Sequence, residues 1–79
     1  MLNLIETKHF IERYRERNIP KKYLKSTLKT GDVDFDEARE NICIFYKKFQ
    51  NYFVHVVVDV TTNTLLTAYK SRVKEKNII

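Results

Sequence analysis

The hydrophobic period of this chain changes once, at its single glycine, Gly31. Before it, apolar residues recur at helical spacing; after it they alternate, as they do in strands. That layout calls for two helices followed by a sheet. A chain of 79 residues makes one domain, and a domain of that size buries only about 60% of the surface its unfolded form exposes. It has room for one small core.

Thr7 can cap a first helix over 8–17 by accepting a bond from a free backbone N–H, and Asn18 suits the break before Ile19-Pro20. Within that helix Phe10, Ile11 and Tyr14 share the side that faces the core. Pro20 fits a first turn, where its missing N–H has no partner. Gly31 fits the left-handed position after a last turn, so the second helix runs over 20–30.

Strands follow. "DVDFD" sets Asp32, Asp34 and Asp36 against Val33 and Phe35, the pattern of a short edge strand whose charges discourage unwanted pairing. "NICIFYKKF" alternates Ile42, Ile44 and Tyr46 with Cys43, Phe45 and Lys47. "YFVHVVVDV" puts Val54, Val56, Val58 and Val60 on one face and His55 on the other. "LLTAYKSR" directs Thr67, Tyr69 and Ser71 to one face and Lys70 and Arg72 to the other. Turns at Gln50-Asn51 and in "TTNT" join the last three. The expectation is a single α+β domain over 1–72, two helices packed on one face of an antiparallel sheet of about four strands, with "VKEKNII" (73–79) as a tail.

Fifteen Lys and Arg against ten Asp and Glu give a formal charge of +5, which favours a polyanionic partner such as RNA or an anionic surface. The longest apolar run is broken by His55 and Asp59 and falls short of the roughly 20 residues that span a bilayer, so no membrane helix is expected. "MLNLIETKHF" meets Lys8 and His9 too early to supply the apolar region of a signal peptide. The lone cysteine, Cys43, forms no internal disulfide and suits a reducing cytoplasm. In mid-strand, with no activating neighbour, it reads as a packing residue.

Metal sites fit poorly. "DVDFDE" has Glu37 where a calcium loop needs glycine, and Cys43 stands where that loop ends in glutamate. His9, Cys43 and His55 lack zinc spacing, and one glycine cannot make a glycine-rich phosphate loop. No cofactor is expected. Arg39, in "DEAREN", reads as a solvated loop charge, with phosphate contact as the alternative, and His55 as a half-buried structural histidine.

The chemistry concentrates in "KHFIERYRER". His9 and Arg13 lie one turn apart, with Arg17 one turn further, while Arg15 points elsewhere. In metal-independent RNA cleavage the 2′-hydroxyl attacks the adjacent phosphorus, so a base must accept a proton and cations must stabilise charge on the phosphoryl oxygens. Histidine titrates near neutrality, and neighbouring arginines disfavour its charged form; arginine presents a fork that matches phosphate. The alternative is an ordinary exposed helix whose Glu12 and Glu16 pair with arginines. In the last strand, Thr67 and Tyr69 can orient a phosphate or ribose, and Tyr69 can stack a base. Thr and Tyr are also simply good strand formers.

The order of these features, "HFIERYRERNIP", a helix ending in "LKTGD", strands, then "LLTAYKSR", resembles the small RelE-like domains of the barnase, EndoU, colicin-nuclease and RelE superfamily of ribonuclease toxins. It looks closest to an uncharacterised branch with a histidine and an arginine in the first helix, an R-x-I step into the second and a T-x-Y ending in the last strand. The likeness covers residues 8 to 71. It implies a cytoplasmic, metal-independent endoribonuclease or a degenerate relative, often one half of a toxin–antitoxin pair. His9, Arg13, Thr67 and Tyr69 would be its catalytic set, and Arg17, Lys70 and Arg72 its RNA contacts. Asn18 replaces the more usual glycine and can also turn left-handed. The N-terminal strand of such toxins would have to come from "LNLIE", which is short. Two other readings stay open: a non-catalytic nucleic-acid-binding or regulatory module on the same fold, and a protein-interaction subunit that uses the open edge of "DVDFD".

Overall fold

The structure, a computed structural model, describes residues 4–72, and the expected tail over 73–79 lies outside them. A two-residue strand, β1 (Ile5–Glu6), leads into helix α1 (Lys8–Glu16). Thr7 caps that helix as its position predicts: its Oγ1 accepts the Phe10 N–H at 3.0 Å and donates to the Leu65 carbonyl at 3.4 Å. The cap therefore fixes the helix start and ties it to a distant strand. Phe10 and Tyr14 are buried, their rings edge to face at 5.4 Å. Asn18 closes the helix with φ 54°, the left-handed conformation its short polar side chain tolerates.

Pro20 stands just before α2 (Lys21–Thr30), and its carbonyl receives the Tyr23 and Leu24 N–H groups. Leu24 and Thr27 face inward. The buried Thr27 hydroxyl donates to the Tyr23 carbonyl at 2.7 Å, which satisfies it without a second partner. Gly31 ends this helix, but not in the left-handed conformation its sequence position suggests. Its φ of −76° and ψ of 173° are extended. What requires glycine is space, since a Cβ would sit 2.5 Å from the Thr27 carbonyl oxygen and 2.6 Å from that of Tyr46.

Strands β2 (Asp32–Phe35), β3 (Ile42–Phe49), β4 (Tyr52–Asp59) and β5 (Thr64–Arg72) complete one sheet in the order β1-β5-β4-β3-β2. The sheet is mixed and five-stranded: β1 pairs parallel with β5, and the other pairs are antiparallel. The expected all-antiparallel sheet of about four strands is thus corrected by β1. Its two residues are both exposed, so no alternation marked them as a strand.

Both helices cover the same face. Register places Val54, Val56 and Val58 of β4 between Lys47, Phe45 and Cys43 of β3 and Lys70, Ala68 and Leu65 of β5. The three valines pack with Phe10, Tyr14, Ile19, Leu24, Leu65 and Ala68 as the core. Lys47 lies on this face by register with Val54, and its ammonium is satisfied by two hydroxyls of α2, donating to Ser26 Oγ at 2.7 Å and Thr30 Oγ1 at 2.6 Å. Val60, expected inside with the other valines, is 41% exposed. The strand stops at Asp59, whose Oδ1 takes the Thr61 N–H and hydroxyl and turns the chain away.

One irregularity in β5 decides which of its side chains reach the core. Val57 pairs with Thr67 but Val58 with Leu65, so Leu66 is the extra residue of a β-bulge. The bulge lets Leu65 enter the core while Thr67, two positions later, faces the side without helices. No helix is long and apolar enough to cross a membrane among the described residues.

Candidate functional site

The helix stripe forms as its spacing predicts. Arg13 Nε donates to His9 Nε2 at 3.4 Å; arginine has only donors, so Nε2 accepts and this tautomer carries its proton on Nδ1. The same guanidinium pairs with Glu16 at 3.0 Å, as the ordinary-helix reading expects. His9 is exposed, and Arg13 is half-buried.

Arg17 carries the stripe over to the sheet. Its Nη1 donates to the Ala68 carbonyl at 2.7 Å and lies 3.4 Å from Thr67 Oγ1. Since β1 pairs only with Thr64 and Leu65, the β5 edge beyond them has no strand beside it, and Arg17 occupies it. His9 sits two turns up the same stripe, about 12 Å of helix rise away. No hydrogen bond joins His9 to Thr67 or Tyr69, so Arg17 is the joint between the helix pair and the strand pair.

On the helix-free face Tyr69 meets a residue whose sequence position marks it only as structural. Its ring stacks on His55 at 4.6 Å and 7°, and His55 Nε2 lies 2.8 Å from Ser71 Oγ. Tyr46 and Phe53 continue the cluster, their ring centroids 6.1 and 6.2 Å from that of His55. Alternation alone puts His55 and Tyr69 on outward faces of their strands. Only the register His55↔Tyr69 makes them neighbours, and the bulge that sets it leaves no mark in the alternation.

Lys70 and Arg72 point to the other side, as expected. Lys70 Nζ stands 4.9 Å over the Tyr52 ring, a cation–π contact, and Arg72 is exposed opposite Tyr52. They flank the helix-covered face and are not gathered with Thr67 and Tyr69. Arg39 pairs with Asp36 at 3.0 Å in its loop, and Cys43 is buried. Among the described residues no three His, Cys, Asp or Glu side chains gather as a metal ligand set.

Burial in the aromatic cluster lowers the His55 pKa from its ordinary 6.5. A histidine that resists its proton when folded but not when unfolded makes the unfolded state bind more protons in that window, so stability falls as pH drops below about 6.5. The loss is complete once pH is below the depressed folded value. Asp36 and Asp59 are held below 3.8, first by the Ala38 N–H and by the Thr61 hydroxyl respectively; their contribution fades only at lower pH. We therefore expect the urea midpoint to fall between pH 7.5 and 5.5 and His55→Gln to flatten that slope. An unchanged slope would assign the dependence elsewhere.

No curated protein and no solved structure matches the chain. Residues 7–70, from the α1 cap through Lys70, match the family described as a domain of unknown function, DUF4258. That span takes in both helices, the site stripe and nearly all of the four long strands, and the chain belongs to the DUF4258 family.

Proposed function

We propose that the protein is a metal-independent endoribonuclease on a RelE-like fold, the toxin member of a toxin–antitoxin type pair, acting on RNA in the cytoplasm. The observation that carries the reading is Arg17. By bonding Ala68 and approaching Thr67, it brings the last position of the His9–Arg13–Arg17 stripe to a strand whose helix-free face carries the Thr67 hydroxyl and Tyr69 stacked on His55.

In this reading His9 takes the proton from O2′, the O2′–P bond forms as P–O5′ breaks, and O5′ leaves with a proton from solvent. A phosphate that draws the Arg13 guanidinium toward itself frees the His9 Nε2 lone pair for the incoming proton and places a fixed positive charge on the phosphoryl oxygens. Thr67 and the Arg17 beside it hold the sugar–phosphate, and Tyr69 extends its stack to a base. Lys70 and Arg72 add to the attraction of the +5 chain for RNA.

One observation favours the binding-only alternative: Glu16 already engages Arg13 at 3.0 Å. Incubating the purified full chain with unstructured RNA in excess chelator separates the two. Cleavage to fragments ending in 2′,3′-cyclic phosphate, with the deoxy analogue untouched, is the expected result. RNA left intact by stoichiometric protein, with or without divalent ions, rules the nuclease out.

A further inference from the structure

β2 closes the sheet on the side away from β1. In an antiparallel ladder alternate residues turn both backbone groups away from their partner, so the outer side of β2 is a template for another strand. Asp32 and Asp34 share the helix-free side with their partners Tyr46 and Ile44, and Val33 and Phe35 lie on the helix side next to Phe45 and Cys43. Charge on an edge strand ordinarily serves to repel. That purpose does not explain the other side, where Val33 is 41% and Phe35 70% exposed, extending an apolar row out to the rim.

A second copy does not fit there. Antiparallel pairing keeps same-side residues opposite one another, so two β2 strands can meet about Val33 or about Asp34. The first sets Asp32 against Asp34 twice, and the second sets Asp34 against itself. Like charges directly opposite are unfavourable, as they would also be in a parallel pair in register. Nucleic acid is equally unsuited to an acidic rim. Asp32 and Asp34 have no ion pair or side-chain hydrogen bond among the described residues, whereas Asp36 is engaged by Arg39. The two free carboxylates repeat at the spacing of one strand face.

We infer that β2 is the docking edge for an extended segment of a partner protein in which basic and apolar residues alternate. Added as a sixth strand, the segment sets Lys or Arg beside Asp32 and Asp34, and apolar side chains over Val33 and Phe35. Backbone bonds supply its attachment, and the alternation supplies its selectivity. The inference rests on β2 alone and not on the ribonuclease reading.

The test is a charge swap. Two fluorescein-labelled nonapeptides, one alternating lysine with valine and one glutamate with valine, are titrated with the full chain at low salt. The parent protein should bind the lysine peptide roughly tenfold more tightly, and Asp32→Lys/Asp34→Lys should reverse that preference. All the substituted side chains are exposed, and a thermal unfolding curve confirms the fold. Amide exchange should show new protection at residues 32–35 on binding, and Phe35→Ser should weaken the lysine peptide without changing the charge preference. Equal binding of the two peptides, a preference that does not reverse, or protection that appears only outside 32–35 would each overturn the inference. RNA cleavage by Asp32→Lys/Asp34→Lys should match the parent, which keeps this result separate from that of the nuclease assay.

Discussion

His9→Ala is expected to lower RNA cleavage by about 10²–10⁴-fold, the usual contribution of a general base, while RNA binding stays nearly unchanged. The fold gives this result a clean reading. His9 is exposed, its one side-chain bond is the 3.4 Å contact from Arg13, and alanine is a better helix former than histidine. Stability should stay within about 0.5 kcal/mol of the parent, so a loss of cleavage is a loss of chemistry. Arg13→Lys should lower cleavage as well: charge is kept, but the fork that the proposed mechanism turns from His9 to the phosphoryl oxygens is lost. Single-turnover cleavage and RNA affinity measured on one preparation check both, and a fully active His9→Ala would remove His9 from the mechanism.

Gly31→Ala should destabilise the domain by about 3 kcal/mol, out of roughly 4–12 kcal/mol for a chain of this size. The sign is unusual. Where backbone angles suit any residue, as φ −76° and ψ 173° do, Gly→Ala normally stabilises by about 0.4–1 kcal/mol because it restricts the unfolded chain. Here the new methyl would lie 2.5 and 2.6 Å from two carbonyl oxygens, Thr27 in α2 and Tyr46 in β3. Neither is a flexible side-chain tip that can swing aside. The end of α2 must lift off β3, away from the Lys47 bonds to Ser26 and Thr30. A drop in melting temperature on the order of 15 °C is the readout, and a rise would show that the close approach relaxes freely.

The sequence carried its local instructions plainly. Thr7 and Asn18 needed only the residues next to them to be read as cap and break, and the alternation of Val54, Val56 and Val58 named the core face. Three things were not legible in the local pattern, for one shared reason, that each depends on a distant partner, and the first was named only through the resemblance, as a short strand from "LNLIE". Ile5 and Glu6 become a strand only because β5 accepts them. Gly31 is needed for the room between the Thr27 carbonyl and that of the distant Tyr46, not for its own angles. Leu65 and Thr67 have the same parity yet face opposite sides, because the bulge at Leu66 intervenes. The candidate site divides along the same line. The His9–Arg13 contact is one helical turn and could be read, whereas the stacking of His55 on Tyr69 needed the β4–β5 register.

The parallel pairing of Ile5 with Thr64 bears on how the molecule comes into being. The hairpins of β3 with β4 and of β4 with β5 close short loops, but β1 and α1 must wait for Leu65 and Ala68, and closing the long segment between Ile5 and Thr64 is entropically dear. During synthesis α1 is made before β5, with Phe10 uncovered and His9 beside no strand. A polypeptide halted before Thr64 carries His9, Arg13 and Arg17 but not the β5 edge that Arg17 bonds. If the proposed activity is directed at RNA of the cell that makes it, interrupted translation yields harmless fragments, and the hazard begins only when β5 is in place.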